Sequence, residues 1–296
     1  MKLRQLEFAL AVAEESSFTR AAQRCNTVQS ALSHQIASLE RELGATLFER
    51  TSRQVRLTAA GEAFVRQARL TLETARRIPD EVAAASGQVR GSLAVGTITS
   101  LTAIDTVALL ASFHAKYAHV DIRLNLGDSE DLLNDVRERR LDVAFLGLWH
   151  GEQVQGVEYL RLAEEKLLAV LPSAHPLSGR KQLTLQRLAD QPFVDFPRGS
   201  SARRQTDEAF TAAGLNHQVR FEVGHMALIE QFVSYGLAVA LVPEPIAATF
   251  NGVVSVPVLN APKRVLYAVW SKAPMPAAVA FVALLREKLV KIARKH

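Results

Sequence analysis

The sequence contains a single cysteine and no long apolar run. One cysteine, Cys25, excludes an intrachain disulfide and any redox switch built on a cysteine pair, which fits a reducing compartment. No stretch approaches the roughly 20 apolar residues that a membrane-spanning helix needs. The first residues lead into a helical pattern and not into an apolar signal segment. We therefore expect a cytoplasmic protein.

Motifs of the common enzyme classes are also missing. The sequence has no Gly-x-Ser-x-Gly elbow, no Walker loop, no Gly-x-Gly-x-x-Gly fingerprint and no His-Glu-x-x-His pair. The histidines are scattered, and His114 and His119 are five residues apart, a poor spacing for one helix face. We expect no catalytic residue, no metal site and no cofactor.

Length and composition predict two soluble domains with ordinary cores. The chain has 296 residues, 48% of them apolar and 22% charged, and a domain takes roughly 150 residues. The net charge of +5 is weak evidence for a nucleic-acid partner, but its placement is informative. Between Ala45 and Arg77 seven arginines stand against three glutamates. That excess suits a phosphate-facing surface, although a solvated basic helix face would look the same.

Apolar spacing predicts three helices near the N-terminus, over residues 3–15, 18–24 and 28–43. Ser17 is expected to cap the second helix and Gly44 to end the third. Two short helices joined by a tight turn are typical of a helix-turn-helix.

The third predicted helix carries a compact polar patch on its first two turns. Gln29, Ser30, Ser33 and His34 form this patch, and it contains no acidic residue. Glutamine can bond adenine with two hydrogen bonds, and serine can reach base edges or phosphates. These four residues are our candidates for reading DNA, although any exposed helix face is polar.

Two strand-like segments, 47–50 and 55–58, flank a basic turn and indicate a wing. On such a wing, Arg50 and Arg53 are expected to lie along the DNA backbone or enter the minor groove.

A long helix follows, with small and apolar residues at alternating spacings of four and three from Gly61 to Val82, which suits packing against another helix. We predict that Pro79 kinks this helix or ends it near Ile78, with a second helix opening at Pro79 in the latter case.

From residue 91 onward, strands and helices alternate, which predicts two α/β lobes with parallel sheets covered by helices on both faces. In the first lobe, strands are expected over 93–96, 120–126 and 143–147, and helices over 101–117 and 129–139. In the second, strands are expected over 167–171, 193–196, 219–223 and 237–242, and helices over 184–190, 201–213 and 225–235. A strand over 265–271 and a helix over 276–294 close the chain.

Ligands of open α/β folds bind at the carboxyl ends of strands, beside helix N-termini. Three loops qualify, and they offer hydroxyl groups, amides and one cation, Arg198. Taken singly, each Ser or Thr in them is more commonly a helix cap. Together they predict a small anionic or polar ligand. The candidate ligand-binding residues are Thr99, Ser100, Leu101, Ser129, Phe196, Arg198 and Ser200.

The first sixty residues resemble the LysR family of bacterial transcription regulators, with the family's spacing throughout. The segments that carry the resemblance are Ser17-Phe18-Thr19-Arg20-Ala21-Ala22, Gln29-Ser30-Ala31-Leu32-Ser33-His34-Gln35-Ile36, Leu47-Phe48-Glu49-Arg50 and Leu57-Thr58-Ala59-Ala60-Gly61. Residues 232–243 also resemble the family's effector domain. There are two departures. Cys25 replaces the usual leucine, as a buried small apolar residue, and Val28 replaces the usual Ser or Thr cap, which leaves Thr27 as the alternative cap.

The resemblance implies a winged helix-turn-helix domain (1–58), a linker and dimerisation helix (59–88) and a two-lobed, periplasmic-binding-protein-like effector domain (89–296). Its lobes are expected over 91–162 with 267–296, and over 163–266. The implied partners are promoter DNA, a small-molecule effector, a second copy in a homodimer or homotetramer, and RNA polymerase. The alternative is a ligand-binding module whose basic surface meets another anionic partner and which does not regulate genes.

Overall fold

The computed structural model describes residues 1–50 and 55–293, without the side chains of Arg50, Glu73, Ile292 and Ala293. The chain divides into two compact units, Met1–Gly87 and Gln88–His296. In the described ranges, no helix is long and apolar enough to cross a membrane.

The described part of the first unit is a winged helix-turn-helix followed by a long helix, as predicted. Its helices are α1 (Leu3–Glu15), α2 (Phe18–Arg24), α3 (Gln29–Leu43) and α4 (Ala59–Ala85), and its antiparallel strands are β1 (Phe48–Arg50) and β2 (Val55–Leu57). Ser17 caps α2 by accepting a hydrogen bond from the amide of Arg20, and Gly44 ends α3 with φ 65°. Both local predictions are confirmed.

The core of this unit fixes which face of α3 is free. Leu32, Ile36 and Leu39 are fully buried, and they pack with Phe8 and Val12 of α1. Because these residues recur at helical spacing, they turn one side of α3 inward. The opposite side remains at the surface.

A tight junction connects β2 to α4. Thr58 caps α4 by accepting from the amide of Gly61, and its hydroxyl donates to the carbonyl of Thr46 at 2.7 Å. A β-carbon on Gly61 would collide with the carbonyl oxygen of Leu47. This close approach explains why glycine stands at position 61.

Helix α4 passes through Pro79 without ending. It continues to Ala85 as one helix, so the predicted end near Ile78 and a second helix opening at Pro79 are both wrong. Pro79 lacks the amide that would bond the carbonyl of Ala75, and its ring crowds the preceding turn. Six helical residues follow it nevertheless, because one missing hydrogen bond costs less than abandoning the rest of the helix. A kink at Pro79 stays a prediction.

The apolar seam of α4 packs in part within its own unit. Ala68 and Leu72 are buried against Leu6 of α1, although the spacing predicted a seam for another helix. Farther along, Ile78 and Val82 are 63% and 62% exposed. The second half of α4 therefore leaves apolar side chains uncovered within the described residues of this unit.

The second unit contains the predicted alternation of strands and helices, with differences in detail. Its strands are β3 (Gly91–Thr97), β4 (Val120–Leu126), β5 (Val143–Trp149), β6 (Glu158–Pro172), β7 (Pro192–Asp195), β8 (Gln218–Glu222), β9 (Ala240–Pro243), β10 (Val253–Val256) and β11 (Lys263–Trp270). Its helices are α5 (Thr106–Lys116), α6 (Ser129–Arg137), α7 (Leu185–Ala189), α8 (Ser201–Ala212), α9 (Met226–Ser234), α10 (Glu244–Ala247) and α11 (Pro276–Ala293).

The main sheet is mixed, whereas the sequence predicted parallel sheets. Its order is β10-β6-β11-β5-β3-β4, with β9 also pairing with β6. Strands β3, β4 and β5 are parallel, but β11 lies between β5 and β6 and runs antiparallel to both. Alternation along the chain reports local order, whereas the direction of β11 is set by pairing with strands far away in sequence.

Strand β6 runs from one lobe into the other. Its first half pairs with β11, and its second half pairs with β9 and β10. We predicted only residues 167–171 of this strand, because the first half is polar and partly exposed. Strands β7 and β8 form a parallel pair, joined to the second lobe through a bridge between Phe193 and Val239.

Other elements of the second unit also differ from the predictions. Helix α5 begins at Thr106 and not at residue 101, because Asp105 is its cap and accepts from the amide of Ala108 at 2.9 Å. The short elements α10 and β10 were not predicted. In each lobe, apolar clusters lie on both faces of the sheet, as the α/β prediction requires.

Candidate functional site

The structure brings the four predicted DNA-reading residues of α3 together on one face. Gln29, Ser30 and His34 are exposed and Ser33 is half-buried. The Gln29 amide donates to the Ser33 hydroxyl at 2.9 Å. This bond connects the glutamine to the side chain one turn farther along the helix, and Gln29 remains exposed.

The N-terminus of α3 has no side-chain cap. The cap position is Val28 and not Thr27, and Val28 makes no capping hydrogen bond. The first amides of the helix therefore lack a side-chain acceptor, as a phosphate site requires. Val28 is itself 66% exposed beside the polar patch. Val28 is not among the predicted site residues, because an apolar residue in a sequence rarely signals function.

The wing is described only in part. Arg50 lies in β1, but its side chain is outside the described residues, as is Arg53 entirely. In the described part, Glu49 of β1 pairs across the sheet with Arg56 of β2.

Cys25 is half-buried and not fully buried as expected. Its carbonyl accepts from the guanidinium of Arg4 at 2.8 Å. Burial raises the pKa of the Cys25 thiol, while nearby Arg4 and Arg24 oppose the change. A raised pKa keeps the thiol protonated and unreactive at neutral pH. The interpretation of Cys25 as a packing residue therefore stays our prediction.

The Cys25 segment also borders a cavity of about 470 Å³ between α1 and α4. Its arginines are largely engaged. Arg24 and Arg69 both bind Glu14, at 2.6 and 2.9 Å, and Arg4 binds Glu7 at 3.1 Å. Because these charges are matched by neighbours, the cavity is a weaker candidate for a ligand site than the one in the second unit.

A cavity of about 380 Å³ lies in the second unit at the carboxyl ends of β3 and β4. Segments of both lobes surround it. The lining residues are Ile98, Thr99, Ser100, Leu126, Gly127, Asp128, Ser129, Gly147, Phe196, Pro197, Ser200, Ala202, Gln205, Gly224 and Arg264. A volume of this size suits a small metabolite.

Five of the seven predicted ligand-binding residues line this cavity, namely Thr99, Ser100, Ser129, Phe196 and Ser200. Leu101 and Arg198 are not among its lining residues. Leu101 packs against the apolar clusters of the first lobe, and Arg198 is exposed on its loop. The prediction that Arg198 is the nearest cation is therefore wrong.

The cation at the cavity is Arg264 of β11. It is only 2% exposed, and its Nε donates to Glu165 at 2.8 Å. Its terminal nitrogens donate to the hydroxyl and carbonyl of Ser100 at 2.8 and 2.7 Å. Burial lowers the pKa of Arg264, and the Glu165 carboxylate opposes the change. Nothing local in the sequence signals this pair, because its members are 99 positions apart.

Several hydroxyls at the cavity are already bonded to the protein. The Ser129 hydroxyl donates to the carbonyl of Gly147 and accepts from its amide, at 3.2 and 3.0 Å. The Ser200 hydroxyl donates to the carbonyl of Pro197 and accepts from the amide of Arg203. Ser200 caps α8, in agreement with the simpler interpretation of each serine as a helix cap. Ser129 does not cap α6, whose cap is Asp128, and it instead connects the start of α6 to β5.

The loop after β3 is different. Residues 99 and 100 form a turn that directs the Leu101 amide toward the carbonyl of Ile98. Within the described residues, the amides of Thr99 and Ser100 have no hydrogen-bond acceptor. Two consecutive amides beside a guanidinium form a favourable environment for a carboxylate or another small anion. The loop, and not the start of a helix at residue 101, provides these donors.

Residues of the two lobes also bond to each other at the cavity. The Asp128 carboxylate, which caps α6, accepts from the amide and the hydroxyl of Ser201 at 3.0 and 2.9 Å. The Gln205 amide donates to the carbonyl of Gly147 at 3.1 Å. In the described part of the chain, no cluster of His, Cys, Asp and Glu could hold a metal ion.

Two family models match the chain, one for each unit. The model for bacterial regulatory helix-turn-helix proteins of the lysR family matches residues 3–62, and the model for the LysR substrate binding domain matches residues 86–290.

Curated relatives match most of the chain. It is 32% identical over 244 residues to the transcriptional dual regulator GltC of Bacillus subtilis, covering 82% of this chain and 81% of GltC. It is 34% identical over 248 residues to the HTH-type transcriptional regulator BudR of Raoultella terrigena, covering 82% and 85%.

Solved structures match both units as well. A full-length OxyR variant from Pseudomonas aeruginosa aligns with a TM-score of 0.73 and 26% identity, covering 98% of this chain and 94% of that one. Full-length CbnR complexed with its target DNA aligns with a TM-score of 0.67 and 26% identity, covering 97% and 99%.

Proposed function

The chain belongs to the LysR family of transcriptional regulators, and from that premise we propose how its residues divide the work. The exposed face of α3 reads a promoter sequence, and the cavity of the second unit binds the small molecule that controls this reading. The observation that supports the first part is the polar face of α3. The observation that supports the second is the set of free amides beside Arg264.

In the DNA-reading proposal, Gln29, Ser33 and His34 contact base edges in the major groove. Ser30 and the uncapped start of α3 receive a phosphate. Arg50 and Arg53 of the wing add backbone or minor-groove contacts. Among the solved structures, CbnR is bound to its target DNA, which supports the same mode of binding here.

Fluorescence anisotropy tests this proposal with DNA from upstream of the chain's own gene, against shuffled DNA of the same composition. We expect selective binding that Ser33→Ala weakens by roughly tenfold or more, the cost of one base contact. Ser38→Ala is a matched control on the same helix, on a different face. Equal binding to both DNAs with only a steep salt dependence would favour the alternative, a module with another anionic partner.

In the effector proposal, the amides of Thr99 and Ser100 and the guanidinium of Arg264 bind an anionic group of the ligand. Phe196 and the apolar wall around it cover the rest of the ligand. Ser129 and Ser200 position the loops, and Arg198 acts only through long-range attraction to an anion.

A cavity-filling variant tests the effector site. Ala202→Phe places a ring in the cavity, and we expect it to abolish ligand-induced thermal stabilisation while selective DNA binding remains. Ala213→Phe, at the other end of α8, is the matched control. Ligand-induced stabilisation that survives in Ala202→Phe would place the effector elsewhere.

We also propose a homodimer or homotetramer in the cytoplasm, in contact with RNA polymerase and without an enzymatic activity. The exposed Ile78 and Val82 of α4 support a helix–helix contact between copies. Analytical ultracentrifugation of Val82→Asp tests this contact, since a buried aspartate would weaken assembly.

A further inference from the structure

We propose that the effector is a small carboxylate with one charge and an apolar body, and not a dicarboxylate or another dianion. This inference rests on the proposed effector site and names the chemical class of its ligand. Three features of the cavity support it, namely the hydrogen-bonding groups that are already used, the charges that line it and the apolar side chains that it leaves uncovered.

Most polar side chains of the cavity are already bonded to the protein. The hydroxyls of Ser129 and Ser200 each donate one hydrogen bond and accept another. The Gln205 amide donates to the carbonyl of Gly147, and the Asp128 carboxylate accepts three hydrogen bonds. A donor that already has a partner in the protein adds little to the binding of a ligand. These positions therefore offer little to a second anionic end of the ligand.

The loop after β3 provides for one anionic group. Within the described residues, the amides of Thr99 and Ser100 have no acceptor, and Arg264 is the one cation among the lining residues. The charge of Arg264 is already balanced by the buried Glu165. One carboxylate of the ligand can be bound here. A second would be buried without a positive partner, which is far more costly than leaving a neutral group unbonded.

Apolar side chains form the remaining wall of the cavity and begin directly beside the free amides. These side chains belong to Ile98, Leu126, Phe196, Pro197 and Ala202. A β-carbon on Gly147 would lie 2.9 Å from Cδ1 of Ile98 and 3.5 Å from a terminal nitrogen of Arg264, so the apolar and charged walls meet at this glycine.

Leu126 provides the apolar surface that a ligand would cover. It pairs with Thr97 at the end of β3, next to the loop with the free amides, and it is 67% exposed although it lines the cavity. A ligand whose carboxylate is bound by this loop must continue past Leu126 and Ile98. An apolar body would bury both side chains and gain the free energy of removing them from water.

Calorimetric titration of the full chain tests the proposal with three probes of the same shape. 5-Methylhexanoate has one carboxylate and an apolar end, glutarate has a carboxylate at each end, and 5-methylhexanamide has the apolar end without the charge. We expect 5-methylhexanoate to bind roughly tenfold or more tightly than glutarate, because its methyl groups replace an unpaired carboxylate. Ala202→Phe, which fills the cavity, should abolish this binding.

A second cation in the cavity should reverse the preference in part. Leu126→Lys supplies a partner for the second carboxylate of glutarate, so the preference should fall to about threefold or less. Leu124→Lys is the matched control, because it makes the same change on the same strand. Leu124 is 41% exposed and is not among the lining residues, so the preference should remain.

The outcomes separate this inference from the proposed effector site. Glutarate binding as tightly as 5-methylhexanoate, or an unchanged preference in Leu126→Lys, would overturn the apolar body. Absent binding of 5-methylhexanoate, or binding that survives in Ala202→Phe, would overturn it as well. If 5-methylhexanamide bound as tightly as the acid, the anion-binding loop itself would be wrong. Selective DNA binding measured on the same preparations reports on the regulator proposal independently.

Discussion

Arg264 and Glu165 face each other on neighbouring strands and form a buried ion pair at 2.8 Å. The pair also binds the loop after β3. Arg264 donates to Ser100, and the hydroxyl of Thr102 donates to the other oxygen of Glu165. One pair of charges thus holds the segment that offers free amides to the cavity.

We expect Glu165→Ala to lower the free energy of unfolding by roughly 3–5 kcal/mol, because it leaves a buried guanidinium without its partner. The double variant Arg264→Met with Glu165→Met should recover most of that loss, since apolar replacements of similar volume need no charge partner. Urea denaturation measures both. A double variant as unstable as Glu165→Ala would show that the bonds to Ser100, and not the charge, dominate.

The same double variant separates stability from ligand binding. It should fold but bind an anionic ligand poorly, because the loop after β3 loses both its cation and its anchor. 5-Methylhexanoate, a small carboxylate, serves as the anionic probe for this titration, and Asp131→Asn, at an exposed position of α6, is the folded control.

Gly61 is a second position at which we expect a substitution to lower stability. Gly61→Ala should lower the free energy of unfolding of the first unit by about 1–3 kcal/mol, because the new β-carbon collides with backbone and not with a mobile side chain. Gly179→Ala is the control, since no atom lies within 4 Å of its β-carbon position. Equal melting curves for the two variants would contradict the close approach between Gly61 and Leu47.

The extent to which these features could be predicted differs between the two units. Helices of the first unit were predicted to within a residue or so, because local signals mark their ends, such as Ser17 before α2 and Gly44 after α3. Pro79 misled the prediction, because a local rule for helix interruption competes with the packing of the whole helix.

In the second unit, local signals predicted most elements but not their long-range partners. The direction of β11, the polar half of β6 and the Arg264–Glu165 pair all depend on contacts between distant segments. Arg198 was predicted as the cation because it is near the loop residues in sequence. Arg264 is far from them in sequence but lines the cavity. The loops around the cavity could be predicted because strand ends in α/β folds meet at one edge.

Asp195 provides a prediction for pH dependence. Burial raises its pKa to about 7, against hydrogen bonds to the carboxylate that include one from the amide of Phe196. The folded chain thus holds this proton more tightly than the unfolded chain does. Its contribution to stability is complete below about pH 4 and is lost as the pH rises to about 7. The full shift corresponds to at most about 4 kcal/mol.

Asp195→Asn cannot ionise, so its stability relative to the unmodified chain should increase from pH 5 to pH 8 and then level off. Burial lowers the pKa of nearby His217, which contributes the opposite trend, but this contribution is common to both proteins and cancels in the difference. Urea denaturation of both proteins at six pH values measures this difference in the free energy of unfolding. A difference that does not change with pH would mean that Asp195 ionises normally.

Val28 allows helix capping and DNA reading to be separated. Val28→Ser supplies the acceptor that α3 lacks, and we expect it to raise the free energy of unfolding by roughly 0.5–2 kcal/mol. Val28→Ala removes the same exposed methyl groups without adding a cap, so it should leave stability nearly unchanged.

The two variants make a different pattern on DNA. An exposed apolar side chain beside the reading face is suited to contact a thymine methyl group. If it does, both variants should lose affinity for the upstream DNA by a similar factor of a few, although only the serine variant is more stable. Loss in the serine variant alone would instead show that its hydroxyl competes with a DNA phosphate for the amides at the start of α3. Anisotropy titrations and urea denaturation of the two variants together therefore determine whether Val28 is a reading residue or keeps the helix N-terminus open.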